Sequence, residues 1–168
     1  MEEHVLLNSE SSDKRELVTK NQFIILNFLT FNLYSVWWMY KSWNFFKEKE
    51  SSDIMPAMRA LFSLFFLYGL FEKIKAFAKG NGYSKDYSSG LLFIGLIVLG
   101  ICAYLPEPFM LLTFISFICF TPAVEALNFG ITESNDGEEQ TSYNTRQIVL
   151  LVLGSILWVL VLMGLFAA

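Results

Sequence analysis

Long apolar runs separated by short charged strips make up the chain from residue 22 onwards. A hydrocarbon core about 30 Å thick needs about 20 helical residues to cross it. The first run, Gln22 to Tyr40, has nineteen residues without a charge, and the last, Gln147 to Ala168, has twenty-two. Between them, Gly90 to Leu105 and Phe109 to Val124 have sixteen each and are joined by a turn with two prolines. Since prolines stop one helix and start the next, these two runs predict a tight helical hairpin.

A further run is interrupted by charges. Only Ala60 to Phe71 is uncharged in it, but a helix from Ile54 to Ala78 would be roughly 37 Å long. Such a helix crosses a bilayer if Arg59 and the lysines after Phe71 extend their charges to the two surfaces. The pattern therefore predicts an all-α polytopic membrane helical bundle with five transmembrane helices. The alternative is four transmembrane helices plus one interfacial or re-entrant helix.

These runs define one membrane domain, residues 22–168, after a polar N-terminal tail, residues 1–21. Lys and Arg favour the cytoplasmic side of a membrane, so both models put the 72–89 strip and the 130–146 loop inside. The predicted helices cover about 22–41, 54–78, 87–105, 108–129 and 147–168.

The composition supports a membrane protein and excludes a nucleic-acid-binding protein. Hydrophobic residues make up 54% of the chain, and charged residues make up 17%, against roughly 25% in a soluble domain. The mean hydropathy is +0.46. A net charge of -4 gives no basic surface for nucleic acid. Cys102 and Cys119 are expected to be free thiols, because their distances from the hairpin turn differ by about two helical turns.

Polar and aromatic residues in the first run are the first candidate contact residues. Asn27, Thr30, Tyr34 and Lys41 have the spacing of one helix face. They predict either interhelical hydrogen bonds, which we favour, or a polar path. Trp37 and Trp38, close to Lys41, predict an interfacial aromatic belt or a surface for a partner.

Arg59 and Glu125 are the charges nearest to membrane depth. A charge at the bilayer centre costs about 2.5–3.5 kcal/mol on insertion scales, so such residues are functional candidates. With five spans they lie near opposite surfaces, and Lys73 or Lys75 becomes the expected partner of Glu125. With four spans Arg59 and Glu125 lie on the same side, where a pair between them is possible.

The first run also carries a family resemblance. Thr30, Leu33 and Tyr34, followed by Trp38, Tyr40, Lys41 and Trp43, form a Thr-x-x-Leu-Tyr…Trp-x-Tyr-Lys-x-Trp pattern. With this opening the chain resembles a group of uncharacterised small bacterial multi-pass inner-membrane proteins. The segment Pro56…Arg59-Ala60…Phe62 is similar to a later segment of the group. The resemblance implies the bacterial inner membrane, and it brings no activity or site residue.

The sequence shows no catalytic constellation, no Gly-rich phosphate loop and no metal-ligand spacing around its one histidine, His4. We therefore predict no cofactor and no enzyme activity. The predicted function is binding, through the lipid bilayer and through a membrane-protein partner or a second copy of the chain, without nucleic acid. The alternative is a small transporter or channel subunit that uses the polar face of the first helix. An embedded enzyme ranks third, because it would need Glu125, Arg59 and Asn128 to meet at one depth.

Overall fold

The computed structural model describes residues 15–106 and 109–167, and 76% of the described chain is helical. The all-α class predicted from the sequence is confirmed. Most of the predicted polar tail, and residues 107–108 of the proline turn, lie outside the described residues. The elements are β1 Arg15–Leu17, α1 Lys20–Leu29, α2 Leu33–Lys49, α3 Pro56–Leu61, α4 Ser63–Gly80, α5 Ser89–Ile101, a 3₁₀ helix Cys102–Tyr104, a 3₁₀ helix Phe109–Phe120, α6 Thr121–Glu133, β2 Gly137–Glu139 and α7 Thr145–Ala167.

The first apolar run folds back on itself. The ring centroids of Phe23 and Trp38 are 5.6 Å apart, whereas fifteen residues of continuous helix would separate them by roughly 22 Å. Helices α1 and α2 are therefore antiparallel, and the predicted single helix 22–41 is wrong. The chain reverses through Phe31 and Asn32, which have φ values of 52° and 67°. Asn tolerates this left-handed region, but a bulky Phe does so only under strain.

The second apolar run is also broken. The predicted helix 54–78 is interrupted at Phe62 and becomes α3 and α4. Helix α4 then runs alongside α6, with Phe71 against Phe120 just before α6 begins (ring centroids 5.6 Å apart) and Phe77 and Ala78 beside Gly130.

The third and fourth runs form the expected antiparallel pair. The Thr113 hydroxyl donates to the Leu99 carbonyl at 2.8 Å, and the Cys119 sulfur lies 3.1 Å from the position that a Cβ on Gly95 would take. Both pairs are nearly symmetric about residue 106, as a hairpin turning there requires. Cys102 and Cys119 are free.

By length and composition, two helical stretches in the described chain are able to cross a membrane: Phe109–Glu133, and Thr145–Gly164 within α7. The five spanning helices predicted from the sequence are therefore corrected. The first two runs are each divided in two, and the third, Ser89–Tyr104, is apolar but shorter.

Charged residues gather at one end of the bundle, which we call the polar end. It contains the N-termini of α1 and α7, the C-termini of α2, α4 and α6, and a two-stranded parallel sheet in which Arg15 lies opposite Gly137. Ion pairs Arg15–Glu48 and Lys49–Asp136 join α2 to this sheet region. The opposite end, which we call the apolar end, contains the end of α5, the start of the 3₁₀ helix 109–120 and the end of α7. The buried core is built of aromatic and aliphatic side chains of the polar half, among them Phe23, Leu26, Phe71, Phe120 and Val124.

Candidate functional site

Three glutamines and one tyrosine form a buried cluster just below the polar end. Gln140 Nε2 donates to Gln22 Oε1 at 2.8 Å and to Gln147 Oε1 at 2.9 Å. Gln147 Nε2 donates to the Tyr34 hydroxyl at 3.4 Å. Each of the four residues is at most 8% exposed. We call Gln22, Tyr34, Gln140 and Gln147 the glutamine cluster.

Two helix starts place these glutamines side by side. At the start of α1, Thr19 Oγ1 accepts from the Gln22 amide at 3.3 Å, and Gln22 Oε1 accepts from the Thr19 amide at 3.0 Å. At the start of α7, Asn144 and Gln147 exchange the same pair of bonds, both at 3.0 Å. Reciprocal caps of this kind fix a Gln at the third helical position. Gln140 follows β2 and is held by its own amide, which donates to the Leu17 carbonyl at 2.8 Å.

The glutamine cluster is not among the candidate residues predicted from the sequence. The available signal was Thr19-x-x-Gln22 and Asn144-x-x-Gln147 directly before two apolar runs, a pattern typical of helix starts. That signal gives the caps, but the meeting of the three side chains depends on contacts between distant segments.

The reversal between α1 and α2 is the second polar feature, and we call residues 30–32 the helix break. Asn27 is completely buried, and its Nδ2 donates to the Phe23 carbonyl at 2.9 Å. Asn32 Nδ2 donates to the Thr113 carbonyl at 3.1 Å. Within residues 15–106 and 109–167, the Oδ1 atoms of Asn27 and Asn32 are buried without a hydrogen-bond partner.

Helix α7 closes over the helix break. The Trp158 ring stacks on Phe28 and on Phe31, with centroid distances of 4.8 and 4.9 Å, and its Nε1 donates to the Phe28 carbonyl at 3.0 Å. A Cβ added to Gly154 would lie 2.5 Å from the Leu29 carbonyl oxygen. Only glycine allows helix α7 to approach the break this closely, and the stack stabilises the strained Phe31.

The predicted polar face of the first run is divided by the break. Asn27 belongs to α1, whereas Tyr34 and Lys41 belong to α2. Thr30 Oγ1 donates to the Leu26 carbonyl at 2.7 Å and accepts from the Tyr34 amide at 3.1 Å, so it caps the break. Asn27 and Tyr34 are buried in packing, and Lys41 is exposed. The one-face prediction depended on a continuous helix and is wrong.

Trp37 and Trp38 have opposite environments. Trp38 is 4% exposed and packs between Phe23 and Phe120. Trp37 is 47% exposed and stacks on Tyr40 with a centroid distance of 5.3 Å. Trp37, Tyr40 and Lys41 share the outward side of α2, and we call them the outer aromatic face.

Arg59 and Glu125 do not pair. The Arg59 guanidinium lies 4.4 Å from the Trp43 ring centroid and 5.3 Å from that of Phe66, a geometry for cation–π attraction. Glu125 accepts from Lys20 at 2.7 Å and lies 3.9 Å from Lys85.

The predicted Glu125 partners are engaged elsewhere. Lys73 pairs with Glu50 at 2.6 Å, and Lys75 pairs with Asp86 at 2.9 Å. The expectation that Lys73 or Lys75 binds Glu125 is therefore wrong. The hypothesis of a membrane-embedded enzyme required Asn128. The Asn128 side chain instead donates to the Val18 carbonyl at 2.8 Å and so stabilises the segment after β1.

Electrostatics at the polar end favour ionised carboxylates. Hydrogen bonds from Lys75 and then Lys79 hold the pKa of Asp86 below its ordinary value. For Asp136, burial acts to raise the pKa, but bonds from Lys49 and Ser134 outweigh it and the pKa is lowered. Burial raises the pKa of Tyr87, with Glu72 adding to the effect. This end therefore carries a network of ion pairs at neutral pH.

Comparisons with known proteins found no matching family model, no similar curated protein and no similar solved structure. The resemblance to small bacterial inner-membrane proteins stays a prediction. In the described part of the chain, no three His, Cys, Asp or Glu residues are grouped so that they could hold a metal ion.

Proposed function

We propose that this chain is an integral membrane protein that acts by binding, through its outer surface, to lipid and to other membrane proteins. The exposure of its apolar helices carries this proposal. In the Thr145–Gly164 window only 11% of the residues are buried. The core helix of a soluble protein would be mostly buried, and soluble monomers rarely expose an apolar patch larger than a few hundred Å².

The same exposure continues along α5, the 3₁₀ helix 109–120 and α7. Residues 90–105, 109–124 and 147–167 contain no charged side chain. Large apolar side chains that are exposed there include Leu91, Ile94, Val98, Ile101, Leu111, Ile118, Val152, Leu153, Ile156, Val159 and Leu160. A lipid environment satisfies such a surface, whereas water does not.

The polar end would then lie at the cytoplasmic surface, because that end carries the Lys and Arg residues of the ion-pair network. The 72–89 strip packs there against α6: Lys85 lies 3.9 Å from Glu125, Tyr83 packs on Phe129, and Phe77 and Ala78 lie beside Gly130. The bacterial inner membrane is the location that the sequence resemblance favours.

Binding explains the surface better than transport does. A transporter using the first helix would need Asn27, Thr30 and Tyr34 to line a water-filled path. Instead Asn27 and Tyr34 are buried in packing, and Thr30 bonds to the backbone of the break. The outer aromatic face points outward, and its combination of Trp, Tyr and Lys is typical of the region where lipid headgroups meet acyl chains.

The adjacent residues Trp37 and Trp38 allow a test of whether the outer surface contacts lipid. Two single-tryptophan variants, one keeping Trp37 and the other keeping Trp38, have all other tryptophans replaced by Phe and are reconstituted in brominated lipid. We expect strong fluorescence quenching of Trp37 and weak quenching of Trp38, because only Trp37 is exposed. Extraction with alkaline carbonate comes first and should leave the protein with the membrane. Release by carbonate, or equal quenching of the two residues, would contradict the proposal.

A further inference from the structure

The contacts along helix α7 show how deep the α1–α2 hairpin reaches. It begins at Thr145, touches Leu29 at Gly154, and stacks on Phe28 and Phe31 at Trp158. At 1.5 Å per residue these contacts lie roughly 14 and 20 Å from the start of the helix. Helix α7 continues to Ala167, roughly 14 Å further. The α1–α2 hairpin therefore enters from the polar end and turns back about halfway along α7.

The α3–α4 pair reaches a similar depth. Helix α4 runs parallel to α6, with Phe71 at Phe120 just before α6 begins and Ala78 near Gly130. Counting back from Phe71 to Ser63 covers roughly 12 Å, which corresponds to about six residues of 3₁₀ helix. Ser63 is therefore level with the region of Thr113, whose carbonyl accepts from Asn32 in the helix break.

The two halves of the molecule consequently differ in width. On the polar side of this level lie α1, α2, α3, α4 and the upper parts of three longer segments. Of the described residues, the other side contains only the ends of α5 and α7, the short 3₁₀ helix after α5 and the start of the 3₁₀ helix 109–120. Within the described chain no buried side chain belongs to residues 97–106, 109–113 or 155–164, so the narrow half has no core of its own.

We propose that the chain is a molecular wedge whose wide half fills one leaflet, and that it binds preferentially to bilayers whose polar-end leaflet is convex. This inference rests on the proposed membrane location. Four additional helical segments of roughly 10 Å diameter add on the order of 300 Å² of cross-section to one leaflet only. A convex leaflet has more area at the headgroups than at the bilayer centre, so the wedge fits it with less displacement of lipid.

The exposed side of the α3–α4 pair shows how the wide half meets lipid. Leu61 is 71% exposed and Phe65 is 77% exposed, and both lie beside the break at Phe62. Neighbouring exposed apolar side chains are Met55, Met58, Phe62 and Leu64. These side chains would insert between acyl chains of one leaflet, where they hold the pair in place.

The test measures protein density on vesicles of graded diameter. The purified full-length chain is inserted into preformed fluorescent vesicles of phosphatidylcholine and phosphatidylglycerol. Outward orientation of the polar end is checked by labelling a cysteine introduced by Ser142→Cys in a Cys102→Ser, Cys119→Ser background. We expect density per lipid area to rise several-fold from the largest to the smallest vesicles. Constant density, or enrichment on the largest vesicles, overturns the wedge.

Two variants test whether the α3–α4 pair causes the dependence of protein density on vesicle diameter. Leu61→Glu combined with Phe65→Glu should withdraw the pair from the leaflet and flatten the dependence on diameter. The matched control, Leu61→Met with Phe65→Leu, should keep it. If the density of the Glu variant depends on vesicle diameter as in the wild type, the α3–α4 pair does not produce the effect. If that variant misfolds, the curves of the wild type and of the control variant still test the wedge. Protein that carbonate releases contradicts the membrane proposal itself, whereas inserted protein with a flat curve contradicts only the wedge.

Discussion

The close approach of Gly154 to Leu29 gives the sharpest prediction. In Gly154→Ala the new Cβ would lie 2.5 Å from the Leu29 carbonyl oxygen, 2.9 Å from its carbonyl carbon and 3.0 Å from its Cβ. Ordinary contacts begin near 3.4 Å, so α7 or the helix break has to move by nearly 1 Å. Because the obstructing atoms are mostly backbone, no rotamer change relieves the clash. Overpacking of this kind costs about 1–3 kcal/mol.

Gly164 is the matched control, because it lies in the same helix and a Cβ there has nothing within 4 Å. Gly164→Ala gains up to about 1 kcal/mol of helix propensity, and Gly154→Ala gains the same amount. The difference between the two variants therefore isolates the clash. We expect Gly154→Ala to unfold about 2–12 °C below Gly164→Ala, from about 2–4 °C per kcal/mol for a chain of this size.

Thermal unfolding in mild detergent, followed by circular dichroism and by tryptophan fluorescence, measures this difference. Displacement of α7 should also weaken the stack of Trp158 on Phe31 and change its emission. Equal unfolding temperatures for the two variants would refute the reasoning, since they would mean that α7 does not press on the break.

Three further predictions concern the polar groups. Gln147→Leu should cost about 1–3 kcal/mol in denaturant unfolding, because Gln140 and the Tyr34 hydroxyl lose a buried partner; an unchanged midpoint would remove the glutamine cluster from the stabilising contacts. The pKa of Asp136 is lowered in the folded state, so its ionised carboxylate stabilises the fold above the unfolded pKa near 4, and this stabilisation is lost as the pH falls through the folded pKa. In Asp136→Asn the free energy of unfolding should therefore fall less steeply between neutral and acidic pH. An unchanged pH dependence would contradict the Lys49 contact. Asn27→Leu should cost less than about 1 kcal/mol, since one amide oxygen already lacks a partner in the described chain, and a loss several times larger in the same unfolding assay would show that this oxygen has a partner such as a buried water.

The sequence predicted the parts of the fold that depend on local pattern. Runs with no charge and a turn with two prolines gave the α5 hairpin and α7, because those signals act within a few residues. The break at Phe31 and Asn32 has no proline or glycine to announce it. The break is stabilised by Trp158, which lies 130 residues beyond Phe28, and no periodicity within the first run indicates that contact.

The candidate site divides in the same way. The caps formed by Gln22 and by Gln147 are local and were readable in principle. Their meeting with Gln140 brings together positions separated by 118 residues, and the parallel pairing of β1 with β2 places Gln140 beside the start of α1. Trp37 and Trp38 are neighbours, and the sequence pattern predicts the same role for both. In the structure Phe23 packs against Trp38, so Trp38 is buried and Trp37 is not.

The position of Trp158 in the last helix has a consequence for biosynthesis. In the membrane location proposed above, residues 20–49 would reach the bilayer long before Gly154 and Trp158 have been synthesised. During that interval the strained reversal at Phe31 lacks its stacking partner, and the first run has the length of an ordinary span. The α1–α2 hairpin thus gains its stabilising contacts with Gly154 and Trp158 only when α7 is in place. Chains interrupted before residue 145 should therefore lack the contacts of Gly154 and Trp158 that stabilise the reversal at Phe31.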